Sequence, residues 1–329
     1  MKKLINQTDT LFDESLQGFA KAHADIITLN ADPCFISRKS NKTANQVRLI
    51  SGGGSGHEPL HAGFVGTGML DAACPGQIFT SPTPDQMLAA TQEIAGDAGV
   101  LFIVKNYAGD VMNFEIASEM LDTENSSVLV NDDVSLAKDH STGRRGVAGT
   151  LMVEKITGAA AEQSASLVEC KNVAQRVITN TASMGVALSS CTVPALGKPT
   201  FDLSETEMEM GVGIHGERGH ETLPLGSASE IVEIIANAIH EDLQPKAGQS
   251  ALLHINGLGG TPLMEQYLIY DLAELYWQKR GVKIIRSLVG SYTTSLDMAG
   301  VSITLTLLDD ELTALWDAPV HTASLRWGC

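Results

Sequence analysis

Three stretches of this chain hold residues whose types and spacing could do chemistry. The first is Ser51-Gly52-Gly53-Gly54-Ser55-Gly56-His57-Glu58-Pro59, directly after Val47-Arg48-Leu49-Ile50. Glycines at a strand end let backbone amides approach a ligand, since no Cβ blocks access and positive φ is open to them. Consecutive amides can then form a nest for an anion or an oxygen. The stretch lacks Gly-Lys-Ser/Thr, its spacing fails G-x-G-x-x-G, and His57 stands where a nucleophile elbow needs its last glycine. A tight turn is the plainer alternative, although four glycines followed by His-Glu exceed what a turn requires. The candidates for contact with a ligand are Gly54, Ser55, Gly56 and His57.

The second stretch is Lys105-Asn106-Tyr107-Ala108-Gly109-Asp110, after the apolar run Leu101–Val104. Ligands of open α/β sheets bind beyond the carboxyl ends of strands. There Lys105 could donate to a substrate oxygen and Asp110 could accept a hydroxyl proton, or Asp110 could instead cap a helix starting near Val111. The third stretch is Gly211-Val212-Gly213-Ile214-His215-Gly216-Glu217-Arg218-Gly219-His220. A histidine between flexible glycines is available near neutral pH as base, ligand or nucleophile. It could equally be an exposed loop residue. His215 and His220, five apart in a poor helix former, are a weak metal signal. His61 follows the glycine loop closely enough to line the same cleft. The acidic pairs Asp132-Asp133 and Asp309-Asp310 could hold Mg²⁺, but read more simply as turns or helix caps.

The elements that position these residues are short apolar runs alternating with helical periodicity. Val47–Ile50, Val100–Val104, Val128–Val130, Val186–Leu188, Leu252–Ile255 and Ile284–Val289 read as buried strands. A helix is expected after Gly143-Arg144-Arg145-Gly146, and another carries Ile231, Ile234, Ile235, Ala238 and Ile239 behind a Ser227–Glu230 capping box. The fold class expected is α/β, with mixed sheets flanked by helices in two domains. Pro194 and Pro199 place the boundary near residue 190. The N-terminal domain is expected over 1–190 and the C-terminal domain over 191–314. The tail 315–329, with Trp316 and Val320, is expected to pack back on the first domain.

With 329 residues, 22 basic and 39 acidic side chains give a net charge of −17, which argues against nucleic acid or an anionic membrane as primary partner. The five cysteines are scattered without a C-x-x-C pair, as reduced thiols are. Residues 1–7 turn polar after two apolar residues, and no run approaches a membrane span. A cytoplasmic location is expected.

In order along the chain, Leu49–Pro59, Ala73–Pro82, Lys105–Asp110, Gly143–Gly146, Gly211–Glu217, Thr294-Ser295-Leu296-Asp297-Met298 and Leu315–Pro319 resemble the dihydroxyacetone kinase family, in its substrate-binding K subunit. The resemblance implies that His215 binds the carbonyl of dihydroxyacetone covalently as a hemiaminal. It further implies that Gly54, Ser55, Gly56, His57, Lys105 and Asp110 contact the substrate, with Asp110 as base and His57 assisting as acid/base. No metal and no cofactor are expected on this chain. ADP or ATP with Mg²⁺ is expected on a separate L subunit, recharged by a phosphotransferase-system protein or, in other versions, used as ATP. At 329 residues the chain is expected to be the stand-alone subunit, and a homodimer. The resemblance leaves two alternatives: a non-catalytic sensor that co-activates a transcription regulator, and a kinase subunit for another short ketose such as erythrulose. One departure is Arg218 where the family often has Pro, which is expected to loosen the loop and add a cation near the phosphate.

Overall fold

The computed structural model describes residues 2–329. They divide into two units, each built on a six-stranded sheet. The chain begins in the first unit with helix α1 (Leu11–Ala22) and the antiparallel hairpin β1 (Ile27–Ala31) and β2 (Cys34–Arg38). Then follow β3 (Arg48–Ser55), the short β4 (Gly66–Thr67), β5 (Ala72–Ile78), α2 (Pro84–Ile94), β6 (Val100–Lys105), α3 (Ala108–Met120) and β7 (Asn125–Val130). The sheet order is β1-β2-β5-β3-β6-β7, with β5, β3, β6 and β7 parallel. β6 is buried at every residue and β3 at every residue but Ser55, which is why β6 reads as an apolar run up to Lys105 and β3 as a short one broken only by Arg48. Phe35, Ile50, Phe102, Phe114 and Met87 form the core between this sheet and α2 and α3. Thr83 and Gln86 close a capping box at the start of α2, with Pro84 in its first turn.

The chain then enters the second unit at Asn131, and α4 (Gly149–Glu162) and α5 (Leu167–Thr179) largely belong to the first. The second sheet holds β8 (Thr181–Ala187), β9 (Glu207–Met210), β10 (Glu221–Pro224), β11 (Ser250–Gly257), β12 (Lys283–Gly290) and β13 (Gly300–Leu308) in the order β10-β9-β8-β13-β11-β12. Helices α6 (Ala228–Leu243) and α7 (Leu263–Lys279) contribute Ile231, Ile235, Ala273 and Trp277 to its core with Leu253 and Ile303. Ser227 caps α6 through Glu230 as the sequence predicts. The buried stripe runs through Ile231, Val232, Ile235, Ala236 and Ile239, however, which leaves Ile234 exposed. From α8 (Asp310–Asp317) the chain returns to the first unit, where β14 (Val320–Thr322) pairs with β4 and with β15 (Arg326–Trp327).

The mixed α/β class stands. The boundary at 190 does not: residues 131–149 and 177–190 fall in the second unit. The reason is that β8 pairs along its whole length with β13, Thr181 opposite Thr306 through Ala187 opposite Gly300, so it lies inside the second sheet. β13, which lies between β8 and β11, is not among the apolar runs read as strands in the sequence.

Asp71 ties the start of the first sheet together. Its carboxylate accepts from the Lys42 ammonium at 2.8 Å, the Arg38 guanidinium at 3.2 Å and the Leu49 N–H at 2.8 Å. All three side chains are buried. Removing one member of such a cluster strands charges that burial has cut off from water. Asp71→Ala is therefore expected to lower unfolding free energy by about 3–5 kcal/mol, read as a fall in the urea midpoint with little change in slope.

Candidate active site

In the first unit the carboxyl ends of the parallel strands β3, β5 and β6 bring together most of the residues singled out in the sequence. Gly52, Gly53 and Gly54 do not form a free loop: they continue β3 as an extended strand, opposite Cys74, Pro75 and Gly76 of β5. Within the stretch 52–56 only Gly56 has positive φ, at 103°. What excludes side chains is space. A Cβ on Gly52 would stand 2.5 Å from the Cys74 carbonyl oxygen, and one on Gly54 2.6 Å from the Thr80 nitrogen. One on Gly53 would stand 2.1 Å from the Lys105 Nζ. The segment after β5 packs over this floor, with the Phe79 N–H on the Ser55 carbonyl at 2.9 Å and the Phe79 ring stacked on His57, centroids 5.3 Å apart. Ser55 donates to the Gly76 carbonyl at 2.8 Å. Both oxygens of Glu58 accept the Gly56 N–H at 3.0 Å, while burial pushes that carboxyl above its ordinary range.

Lys105, the last residue of β6, is wholly buried, and its ammonium faces three acceptors: His61 Nε2 at 2.9 Å, the Gly52 carbonyl at 3.3 Å and Asp110 Oδ2 at 3.5 Å. Asp110 is not a cap. The helix starts at Ala108 behind Tyr107, which places Asp110 inside the first turn with neither carboxylate oxygen hydrogen-bonded to protein. A carboxylate at a helix N-terminus is electrostatically favoured there. Gly109 admits the Ser81 hydroxyl at the same turn, 2.7 Å from where a Cβ would sit. Gly54, Ser55, Gly56, His57, Lys105 and Asp110 thus lie around three adjoining strand ends, as the switch-point rule of open sheets leads one to expect.

Two residues complete the cluster. His61 was placed near the glycines by the sequence, but Glu154 was not singled out. His61 Nδ1 lies 2.6 Å from Glu154 Oε1 on α4 and 3.0 Å from the Ser51 hydroxyl, which donates onward to the Ile103 carbonyl at 2.7 Å. Burial first, then the charges of Lys105 and His57, holds His61 far below the ordinary imidazole range, so the ring is neutral. Burial pushes Glu154 up to about 8 against the opposing pull of the Lys105 charge, and its Oε2 receives no protein hydrogen bond. The signal in the sequence was a glutamate and a lysine inside the otherwise apolar helix Leu151–Ala161, where a charge is out of place unless it is used.

His215 belongs to the second unit. Its backbone N–H donates to Glu217 Oε2 at 2.8 Å, and Glu217 Oε1 meets Arg145 Nη1 at 3.0 Å. The Arg145 guanidinium also holds Asp133 at 2.7 Å, the Gly211 carbonyl at 2.6 Å and the Ser135 hydroxyl at 3.1 Å. The flanking glycines make room rather than flexibility: a Cβ on Gly213 would stand 1.7 Å from the Glu217 carboxylate, and one on Gly216 2.6 Å from the Cys191 sulfur. The His215 segment is braced. Arg218 does not loosen it either, since its guanidinium stacks 5.3 Å over Phe201 and donates to the Asp202 carbonyl at 3.1 Å. Asp132 and Asp133 are occupied as well, Asp132 by the N–H groups of Val147 and Gly149 at 2.8 Å and Asp133 by Arg145. Among the described residues no group of three or more His, Cys, Asp or Glu is placed to hold a metal, and no helix is long and apolar enough to cross a membrane.

The Dak1 domain model matches residues 17–324, and the chain belongs to the Dak1 domain family. It is 45% identical, over the whole of both sequences, to an Escherichia coli (strain K12) protein named PEP-dependent dihydroxyacetone kinase, dihydroxyacetone-binding subunit DhaK. Among solved structures it superposes with a TM-score of 0.89 on a dihydroxyacetone kinase operon co-activator, DhaQ, at 31% identity over 94% of this chain and 97% of that one. It also superposes with a TM-score of 0.87 on the dihydroxyacetone kinase of C. freundii, at 32% identity over 99% of this chain and 60% of that one.

The raised Glu154 has a thermodynamic consequence. The folded chain holds a proton that the unfolded chain releases near pH 4.5, so stability falls as pH rises from there to about 8 and levels off above. Glu154→Gln removes this dependence. Urea titrations between pH 5 and 9 are expected to show wild type losing stability relative to the variant by up to roughly 1 kcal/mol per pH unit below pH 8. Parallel curves would show that Glu154 carries no such proton.

Proposed function

We propose that this chain is the dihydroxyacetone-binding subunit of a phosphoenolpyruvate-dependent dihydroxyacetone kinase. The observation that carries the reading is the buried Lys105–Asp110 pair on the glycine floor of β3, in a chain 45% identical end to end to a subunit of that name. The substrate binds through its carbonyl to His215. The pyridine-type ring nitrogen adds to the carbonyl carbon, the carbonyl oxygen takes up a proton and the other ring nitrogen gives one up, leaving a neutral hemiaminal. A polyol such as glycerol has no carbon open to this addition, so selection rests on bond formation rather than size. Nδ1 of His215 is enclosed, which leaves Nε2 as the nitrogen that adds.

Asp110 takes the proton of the terminal hydroxyl as that oxygen attacks phosphorus, and Lys105 and His57 hold the substrate's oxygens. Gly54, Ser55 and Gly56 shape the floor beneath it. Phosphoryl transfer goes through a loose transition state, so a positioned carboxylate suffices as base. The nucleotide and its Mg²⁺ belong to a partner L subunit, recharged by a phosphotransferase-system protein, and the chain works as a homodimer. Binding to a transcription regulator is the second reading, supported by the superposition on the co-activator. It gives Asp110 nothing to do, because a binder needs no base.

Reconstitution with an L-type subunit and each phosphoryl donor tests the first reading. Wild type is expected to form dihydroxyacetone phosphate. Asp110→Asn is expected to lower kcat by about 10²–10⁴, while [2-¹³C]dihydroxyacetone still shows the tetrahedral carbon of the adduct by NMR. His215→Ala is expected to lose that signal. Full turnover by Asp110→Asn would remove Asp110 as base.

A further inference from the structure

We propose that His61 and Glu154 are positioning residues for the phosphoryl transfer: Glu154 fixes His61 as the Nδ1–H tautomer, and the bare Nε2 then holds the Lys105 ammonium off Asp110. The functional half of this rests on the kinase reading above; the tautomer does not.

Two independent proton counts give the same tautomer. An ammonium carries only donors, so the Nε2 that faces Lys105 Nζ at 2.9 Å must offer a lone pair. Ser51 has one hydroxyl proton and spends it on the Ile103 carbonyl at 2.7 Å, so toward His61 Nδ1, 3.0 Å away, it can only accept. Both place the ring proton on Nδ1, from where it reaches Glu154 Oε1 at 2.6 Å, so the proton that Glu154 holds below pH 8 sits on Oε2. The groups facing His61 are then Lys105 from β6, Ser51 from β3, Glu154 from α4 and the neighbouring His57. Lys105 is the cation that faces Asp110.

The distances show what this arrangement does. The ammonium lies 2.9 Å from His61 and 3.5 Å from Asp110, so its best hydrogen bond goes to the imidazole. A charge-assisted lysine–carboxylate bond closes to about 2.7–2.9 Å when nothing competes. Such a bond would stabilise the Asp110 carboxylate and weaken it as a base. His61 is the competitor, so Asp110 keeps lone pairs for the substrate hydroxyl.

Nitrogen-15 NMR of the wild-type chain, with the His61 ring assigned by its loss in His61→Gln, is expected to show a protonated Nδ1 and a bare Nε2 from pH 6 to 8. Glu154→Leu is expected to shift the ring toward Nε2–H, and Glu154→Gln, which keeps an acceptor, to leave it unchanged. In the reconstituted kinase His61→Leu is expected to lower kcat about tenfold, with KM little altered and the acid limb of the pH–kcat profile moved to lower pH. His61→Gln, whose carbonyl can take the Nε2 place, is expected to recover most of it. An Nε2–H or doubly protonated ring in wild type overturns the proposal. So does a His61→Leu enzyme with wild-type kcat and pH profile in an assay where wild type turns over. A wild type that makes no product counts against the kinase reading instead, and the ring spectrum still decides the tautomer.

Discussion

A lysine ammonium taken fully out of water at the end of β6 is the constraint around which the first unit is arranged. An isolated buried cation is prohibitively costly, and it becomes tolerable only when hydrogen-bond acceptors and an opposing charge face it. The acceptors come from separate parts of the chain: a main-chain carbonyl of β3, an imidazole from the turn after the glycines and a carboxylate from the first turn of α3. The ammonium also occupies the volume of a side chain at position 53, and so dictates glycine there. The residues on either side are glycines for other reasons, since Cys74 and Thr80 close in on them. A run that looks like one flexible feature is three close-packed positions with three neighbours.

The His215 segment follows the same logic, with an arginine in place of the lysine. There the organising charge is the Arg145 guanidinium, shared among two carboxylates, a carbonyl and a hydroxyl. Its planar fork can serve several acceptors in fixed directions, which a lysine could not do. The loop backbone is thereby held from Gly211 to Glu217 without a single residue of regular structure over 211–217. On the proposed reading, in which His215 adds to a carbonyl, a ring on such a loop is preorganised for the addition.

Much of this was legible in the sequence. The parallel strands β3 and β6 announced themselves as short, largely apolar runs because both of their faces are buried. The chemistry-bearing residues at their ends followed from the general placement of ligands in open sheets. β13 was harder. Its Val301, Ile303 and Leu305 alternate with Ser302, Thr304 and Thr306, which suggests one wet face, yet those hydroxyls are buried and paired with Ser183, Thr181 and Asn256. The domain boundary was misread because prolines at 194 and 199 mark a loop inside the second unit, whereas the real crossings at 130–131 and 149–150 carry no proline at all. Glu154 escaped because its partner lies 93 positions away in the chain, and only the folded structure reveals the pairing.

The path of the chain also shapes how the protein can be made. Because β14 must reach back to β4, the unit that holds the glycine floor stays unfinished until residues 320–322 have left the ribosome, after every strand of the other sheet has been synthesised. Folding of the N-terminal unit first is closed to such a topology, and the nascent chain must keep an unsealed sheet edge out of aggregation until its last residues are made.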